Sequence, residues 1–280
     1  MTKELIEVES LKWFYREVTP IGNSEKLPVV LLHGLPSQSF SWCEIMPALA
    51  EKGFRAIAPD WIGLGFSGKP DKRDFAYTPD AYIDALANFF QTLALNKFHL
   101  VVQGFLGSVG LQYALRYPEQ IERLVILNTP LSPAAKLPWK MKQLGLPLIG
   151  DMLTQDPLLV DRTLEGGSGF QIADENLDVY RKPFLLSSDA GRSLLAILKN
   201  LQLPKALSEI ESGLRNTSIP TQIIWGMADP WLSATDAETL AQANTNIELE
   251  SLPEAKHYPQ EHWPDEIKDS LLNFLRREIL

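Results

Sequence analysis

The chain has 280 residues, 45% of them apolar, enough for one elaborated α/β domain to bury a large core without a second independent unit. Its 35 acidic residues against 26 basic ones give a formal charge of −9, which repels a phosphate backbone and argues against nucleic-acid binding. Cys43 is the single cysteine, so an intramolecular disulfide and a cysteine metal cluster are excluded, and it reads as a buried small hydrophobe in a reducing compartment.

Met1 to Ser10 alternates acidic and apolar residues rather than placing a basic segment before an apolar stretch, so no secretory signal is expected there. Apolar runs such as Leu144 to Ile149 are short and broken by proline or glycine, far below the ~20 residues of a membrane helix. The expectation is a cytoplasmic protein without a membrane span.

From Pro28 onward, strand-like and helix-like segments alternate. Val29 to Leu32 is a short buried run, and Phe40 to Ala50 has helical spacing up to a stop at Gly53. A strand over Arg55 to Pro59 is followed by a helix over Pro79 to Leu93, a strand over His99 to Val102, a helix over Phe105 to Arg116 and a strand over Leu124 to Leu127. Helical stretches separated by proline and glycine then run from Thr129 to about Thr217, and this segment reads as an inserted cap. The rhythm returns with a strand over Thr221 to Trp225, a helix over Ala234 to Ala243, a strand over Ile247 to Glu250 and a last helix over Pro264 to Arg277. The pattern predicts a mostly parallel sheet with helices on both faces: a core of residues 1–128 and 218–280, and a helical cap of 129–217.

In such sheets the chemistry sits at the carboxyl ends of the strands. The first of these ends carries Leu32-His33-Gly34-Leu35-Pro36-Ser37-Gln38-Ser39-Phe40-Ser41-Trp42. The next carries Asp60-Trp61-Ile62-Gly63-Leu64-Gly65-Phe66-Ser67-Gly68, in which Asp60 and Ser67 read as loop-bracing residues. The third carries Val101-Val102-Gln103-Gly104-Phe105-Leu106-Gly107-Ser108, followed by Tyr113-Ala114 and Arg116-Tyr117-Pro118 along one helix. Later ends carry Trp225-Gly226-Met227-Ala228-Asp229-Pro230 and Glu254-Ala255-Lys256-His257-Tyr258-Pro259.

Together these segments resemble the α/β-hydrolase superfamily, and most closely its haloalkane dehalogenase and epoxide hydrolase branch. The resemblance spans Pro28 to Leu275. It implies that Leu35 and Phe105 offer backbone N–H groups to an oxyanion, that Asp229 pairs with His257, and that His33, Trp42 and Gln103 stand around the pocket. The same register puts the superfamily's nucleophile at Gly104, where its members carry Ser, Asp or Cys. Ser108 falls inside the helix instead of on the strained turn that exposes an attacking atom, so it reads as a packing residue.

Dehalogenases also have Trp where Phe105 stands, and many have Asn where Leu35 stands, so halide loses its usual indole donors. Because Leu106 departs as well, one introduced glycine would account for only part of the difference. Two functions stay open. One is a diverged hydrolase-like enzyme acting on a small apolar molecule, with His257 as general base and no covalent intermediate. The other is a pseudoenzyme that binds a small apolar molecule under a cap lined by Pro138, Trp139, Met141 and Leu144. Neither calls for a cofactor or a metal. His262, beyond the matched motif, is expected to face solvent.

Overall fold

Thr2–Val8 (β1) and Leu11–Val18 (β2) form an antiparallel hairpin at the edge of the sheet in the computed structural model, which describes residues 1–22, 24–144, 156 and 158–277. The acidic–apolar alternation at the start of the chain is thus the period of two of a half-exposed strand, and the sheet begins before Pro28, where the first strand is expected. The remaining strands are Val29–Leu32 (β3), Ala56–Pro59 (β4), Phe98–Gln103 (β5), Ile121–Leu127 (β6), Thr221–Gly226 (β7) and Ile247–Leu252 (β8). Their order across the eight-stranded sheet is β1-β2-β4-β3-β5-β6-β7-β8. β2 meets β4 antiparallel, and the pairings from β4 to β8 are all parallel.

Alternate residues of the central strands divide between two apolar layers, which is why β3 and β5 read as unbroken apolar runs. Val30, Leu32, Leu100, Val102, Leu124 and Ile126 face the larger layer, while Val29, Leu31, Val101, Val125 and Leu127 face the smaller one. The helices are Ile45–Glu51 (α1), Pro79–Thr92 (α2), Gly104–Arg116 (α3), Trp139–Leu144 (α4), Leu159–Ser168 (α5), Asp174–Leu186 (α6), Asp189–Asn200 (α7), Leu203–Asn216 (α8), Ala234–Ala243 (α9), Pro259–His262 (α10) and Pro264–Leu275 (α11). α2 starts where Thr78 accepts from the Ala81 N–H and Pro79, which has no N–H to leave unpaired, takes the first position.

Two expectations change in detail. The helix expected over Phe40 to Ala50 is a 3-10 turn over Ser39–Trp42 followed by α1. Pro47 lacks an N–H and its ring would collide with the carbonyl four residues earlier, so the α-helix starts where Pro47 lies in the first turn. Between β6 and β7, all regular elements among the described residues are helices, α4 to α8. Of these, α8 packs along α3 on the flank of the sheet, where Glu209 accepts from Gln112 and Arg116, and in that respect it behaves as a core helix. The apolar run Leu144 to Ile149 lies, beyond Leu144, outside the described residues. No described helix is long and apolar enough to cross a membrane.

Candidate active site

β5 ends at Gln103 and α3 begins at Gly104, whose φ of +71° lies in the left-handed region that side-chain-bearing residues adopt only with strain. A Cβ built on Gly104 would stand 3.6 Å from His257 Nε2 and only 2.9 Å from Gly34 Cα. Position 104 therefore faces the histidine, and the Gly34 turn has closed to within contact of the space a side chain would need. Ser108 is buried inside α3 and its hydroxyl donates to Phe105 O at 2.7 Å, which ties it to the helix rather than to the elbow.

Opposite the elbow, His257 Nδ1–H donates to Asp229 Oδ2 at 2.8 Å, both side chains being fully buried. Asp229 stands in the turn after β7. Its Oδ1 accepts from the Trp231 and Leu232 N–H groups at 2.7 and 3.2 Å, and its Oδ2 also accepts from Asn128 Nδ2 at 2.8 Å. Those bonds fix the carboxylate against Nδ1 and leave the Nε2 lone pair as the free end of the imidazole. Nε2 is buried and has no partner among the described residues.

The ring is walled on three sides: Phe105 stacks on it at 5.5 Å between centroids, Trp231 lies at 4.6 Å and Tyr258 at 4.9 Å. Its backbone is gripped from both directions, since Gln103 Nε2 donates to His257 O at 2.7 Å and His257 N–H donates to Gly167 O at 3.1 Å. Gly167, at the end of α5, meets Trp231 and Tyr258 so closely that a Cβ there would lie 2.5 Å from the indole.

On the other side of the elbow, Tyr258 O–H donates to Leu35 O at 2.6 Å, fastening the histidine loop to the Gly34 turn. Leu35 N–H donates to no described group, and Phe105 N–H lies in the first turn of α3, where amides have no intrahelical acceptor. Beside this turn is a mostly apolar cleft of about 10 Å³ lined by Leu35, Pro36, Met141, Leu144, Leu194 and Leu198. That is room for about one water.

The other expected residues divide clearly. Gln103 is buried beneath the site as a brace, with Oε1 unpartnered. His33 is not a pocket wall: its Nδ1–H donates to Gly34 O at 2.8 Å and its Nε2 accepts from Trp61 N–H at 3.2 Å, while burial lowers its pKa and keeps it neutral. Trp42 packs in the smaller apolar layer with Ile45 and Met46, away from the cleft, because the 3-10 turn rotates it under the sheet. Asp60 and Ser67 are loop braces, Asp60 accepting from Ser39 and Phe66 N–H groups at 2.7 Å each and Ser67 donating to Asp60 O at 2.6 Å.

Of the residues expected to line a cap, Met141 and Leu144 line the cleft whereas Trp139 is 68% exposed. His262 is half-buried under Phe170, stacked at 4.8 Å, rather than facing solvent. Asn128, Trp231 and Tyr258 were not expected from the motifs. Asn128 directly ends the apolar run of β6, and that position at a strand's carboxyl end is the signal that could have found it.

The α/β hydrolase fold family matches residues 28–156. The chain is 30% identical to a cis-3-alkyl-4-alkyloxetan-2-one decarboxylase of Shewanella oneidensis, an alignment covering 91% of this chain and 84% of that protein. It is 27% identical to haloalkane dehalogenase 2 of Mycobacterium tuberculosis, covering 88% and 86%. The crystal structure of an ancestral haloalkane dehalogenase, AncHLD2, superposes with a TM-score of 0.84 at 27% identity, covering 97% of this chain and 98% of that one.

Proposed function

This chain belongs to the α/β-hydrolase family, and we propose that within it the protein is a cofactor-independent enzyme whose Asp229–His257 dyad acts as general base on a small apolar substrate, without a covalent intermediate. The observation that carries this reading is His257 Nε2: buried, unpartnered among the described residues, and 3.6 Å from where a side chain at position 104 would begin. A water or a substrate proton brought into that space meets the base directly.

For a small ester the steps balance as follows. Water gives a proton to Nε2 as its oxygen bonds to the carbonyl carbon. The oxyanion is met by the N–H groups of Leu35 and Phe105, the ester C–O bond breaks, and the leaving alkoxide takes the proton back from His257. Asp229 holds the Nδ1–H tautomer and stabilises the imidazolium in between. A substrate larger than a water requires the walls at Met141, Leu144, Leu194 and Leu198 to part. The relatives named for dehalogenation and decarboxylation set the family, but without a carboxylate at position 104 a displacement that passes through an ester to that residue is ruled out here.

The competing reading, a ligand-binding pseudo-hydrolase, is favoured by the close wall of Phe105, Trp231 and Tyr258 around the ring. One experiment separates the two. Wild type, His257→Ala and Gly104→Asp are compared on small esters, epoxides, haloalkanes and oxidisable aromatics, with thermal melts to check folding and mass spectrometry of small molecules released on denaturation. Wild-type turnover lost in His257→Ala supports dyad catalysis. Wild-type silence together with a released small molecule supports the binding reading and removes the first.

A further inference from the structure

Arg16, on β2, is 2% exposed, and its guanidinium makes no ion pair within 4 Å among the described residues. Its Nε is buried without a hydrogen-bond partner. Two aromatic rings flank the group, whose central carbon lies 5.5 Å from the centroids of both Phe14 and Phe40. A buried cation left without an anion is expensive, and natural structures pair it.

The surroundings increase the imbalance. Lys3 on β1 is the residue directly opposite Arg16 in the antiparallel register, and like charges so placed repel. Both line an open cleft of about 390 Å³ between the sheet edge and α6, to which Lys182 adds a third cation. Its one carboxylate among the described lining residues, Asp178, is engaged by Arg181 at 2.9 Å, and Glu17, next to Arg16 on β2, is engaged by Arg55 at 2.6 Å. On a chain of formal charge −9, this is a local concentration of positive charge, with Glu44 and Glu261 near Cys43 on its inner side and neither within ion-pair distance of Arg16 among the described residues. Phe14 and Phe66, whose centroids are 5.3 Å apart, supply an apolar wall beside it.

We propose that this cleft binds a small organic anion, its phosphate or carboxylate head held by Arg16, Lys3 and Lys182 and its apolar body against Phe14 and Phe66. A guanidinium flanked by aromatic rings presents its donors in a planar fork that matches either head group. Because Lys182 lies on α6 and Arg16 on β2, the anion would bridge the sheet to a helix of the segment that covers the candidate active site. That segment is otherwise tied here by Gln38 Nε2, which donates to Val179 O at 2.7 Å.

The test is calorimetric titration of the full chain with phenyl phosphate and with benzoate at constant ionic strength, with sodium chloride as control, on wild type, Arg16→Met and Lys182→Gln. Saturable binding of at least one of the two is expected. It should weaken by about tenfold in Lys182→Gln, which alters only an exposed side chain, and disappear in Arg16→Met, whose fold is checked by circular dichroism. The tighter of the two ligands identifies the head group. No binding of either ligand by wild type, or binding undiminished in Lys182→Gln, overturns the proposal.

Discussion

Asp229 and His257 lie in a network in which the carboxylate accepts from four donors and the ring is left one free nitrogen, whereas the elbow 3.6 Å away offers no side chain and has been closed upon by the Gly34 turn. Both regions stand at strand ends of one sheet. Under the proposed function, their difference means that orienting a base and supplying a nucleophile are separable. The first is written in side-chain hydrogen bonds that remain complete here. The second needs one side chain on a strained backbone, and glycine removes both the side chain and the strain.

The comparison can be broken most directly at the base. His257→Ala should lower turnover of any substrate found by about 10²–10⁴-fold with little change in folding, as read by steady-state kinetics beside a thermal melt. Activity that survives this change would place the chemistry elsewhere. At the elbow, Gly104→Ala combines left-handed backbone strain with a Cβ at 2.9 Å from Gly34, and should destabilise by about 2–4 kcal/mol in urea unfolding. An unchanged midpoint would mean that the turn relaxes freely and that the closure is not fixed.

Asn128 sharpens the contrast from the other side. Its side chain donates to Asp229 and to Gly226 O and accepts from Gly226 N–H at 2.8 Å, with its own φ at +36°. Asn128→Ala should destabilise by about 1–3 kcal/mol and also reduce turnover through the loosened carboxylate. Loss of stability at full activity would make it a structural brace only.

The smallest effect concerns Glu261, next to the histidine loop. One carboxylate oxygen accepts from Tyr180 O–H at 2.8 Å and the other is buried without a partner, and burial pushes the group up to about 7 from an ordinary value of 4.5. The folded chain then keeps a proton that the unfolded chain has released, so the contribution of Glu261 to stability falls as pH rises from about 4.5 to 7, against the opposite contribution of His33, His99 and His262, whose pKa values burial lowers. Asp80, Glu122 and Glu209, held low by Arg116 and Lys97, change stability below that window. Glu261→Gln removes the falling contribution alone, so the Tm of the variant should rise relative to wild type as pH increases between about 4.5 and 7. Parallel profiles for variant and wild type would show that the carboxyl titrates elsewhere.

Much of the fold was legible because parallel strands buried on both faces must be apolar runs, and Val29 to Leu32 or Leu124 to Leu127 can be little else. The N-terminal hairpin was less visible: an edge strand is half-exposed, and Leu5, at 64% exposure, spoils a simple inside–outside pattern. In the site, the dyad pair and the bare elbow were readable from motif order and register. The roles of His33 and Trp42 were misjudged because proximity in a motif says nothing about which face of the sheet a side chain takes.

By itself, the order of strand-end motifs determined the α/β-hydrolase architecture and the candidacy of Gly104, Asp229 and His257 as site positions, since these depend on residue type and local spacing. Only the tertiary structure decided that Asn128 bonds to Asp229, that Trp231, Tyr258 and the end of α5 enclose His257, and that Arg16 is buried without a counter-ion among the described residues. Those facts arise where segments distant in sequence converge, and burial and hydrogen-bond satisfaction are properties of that convergence, which no single segment encodes.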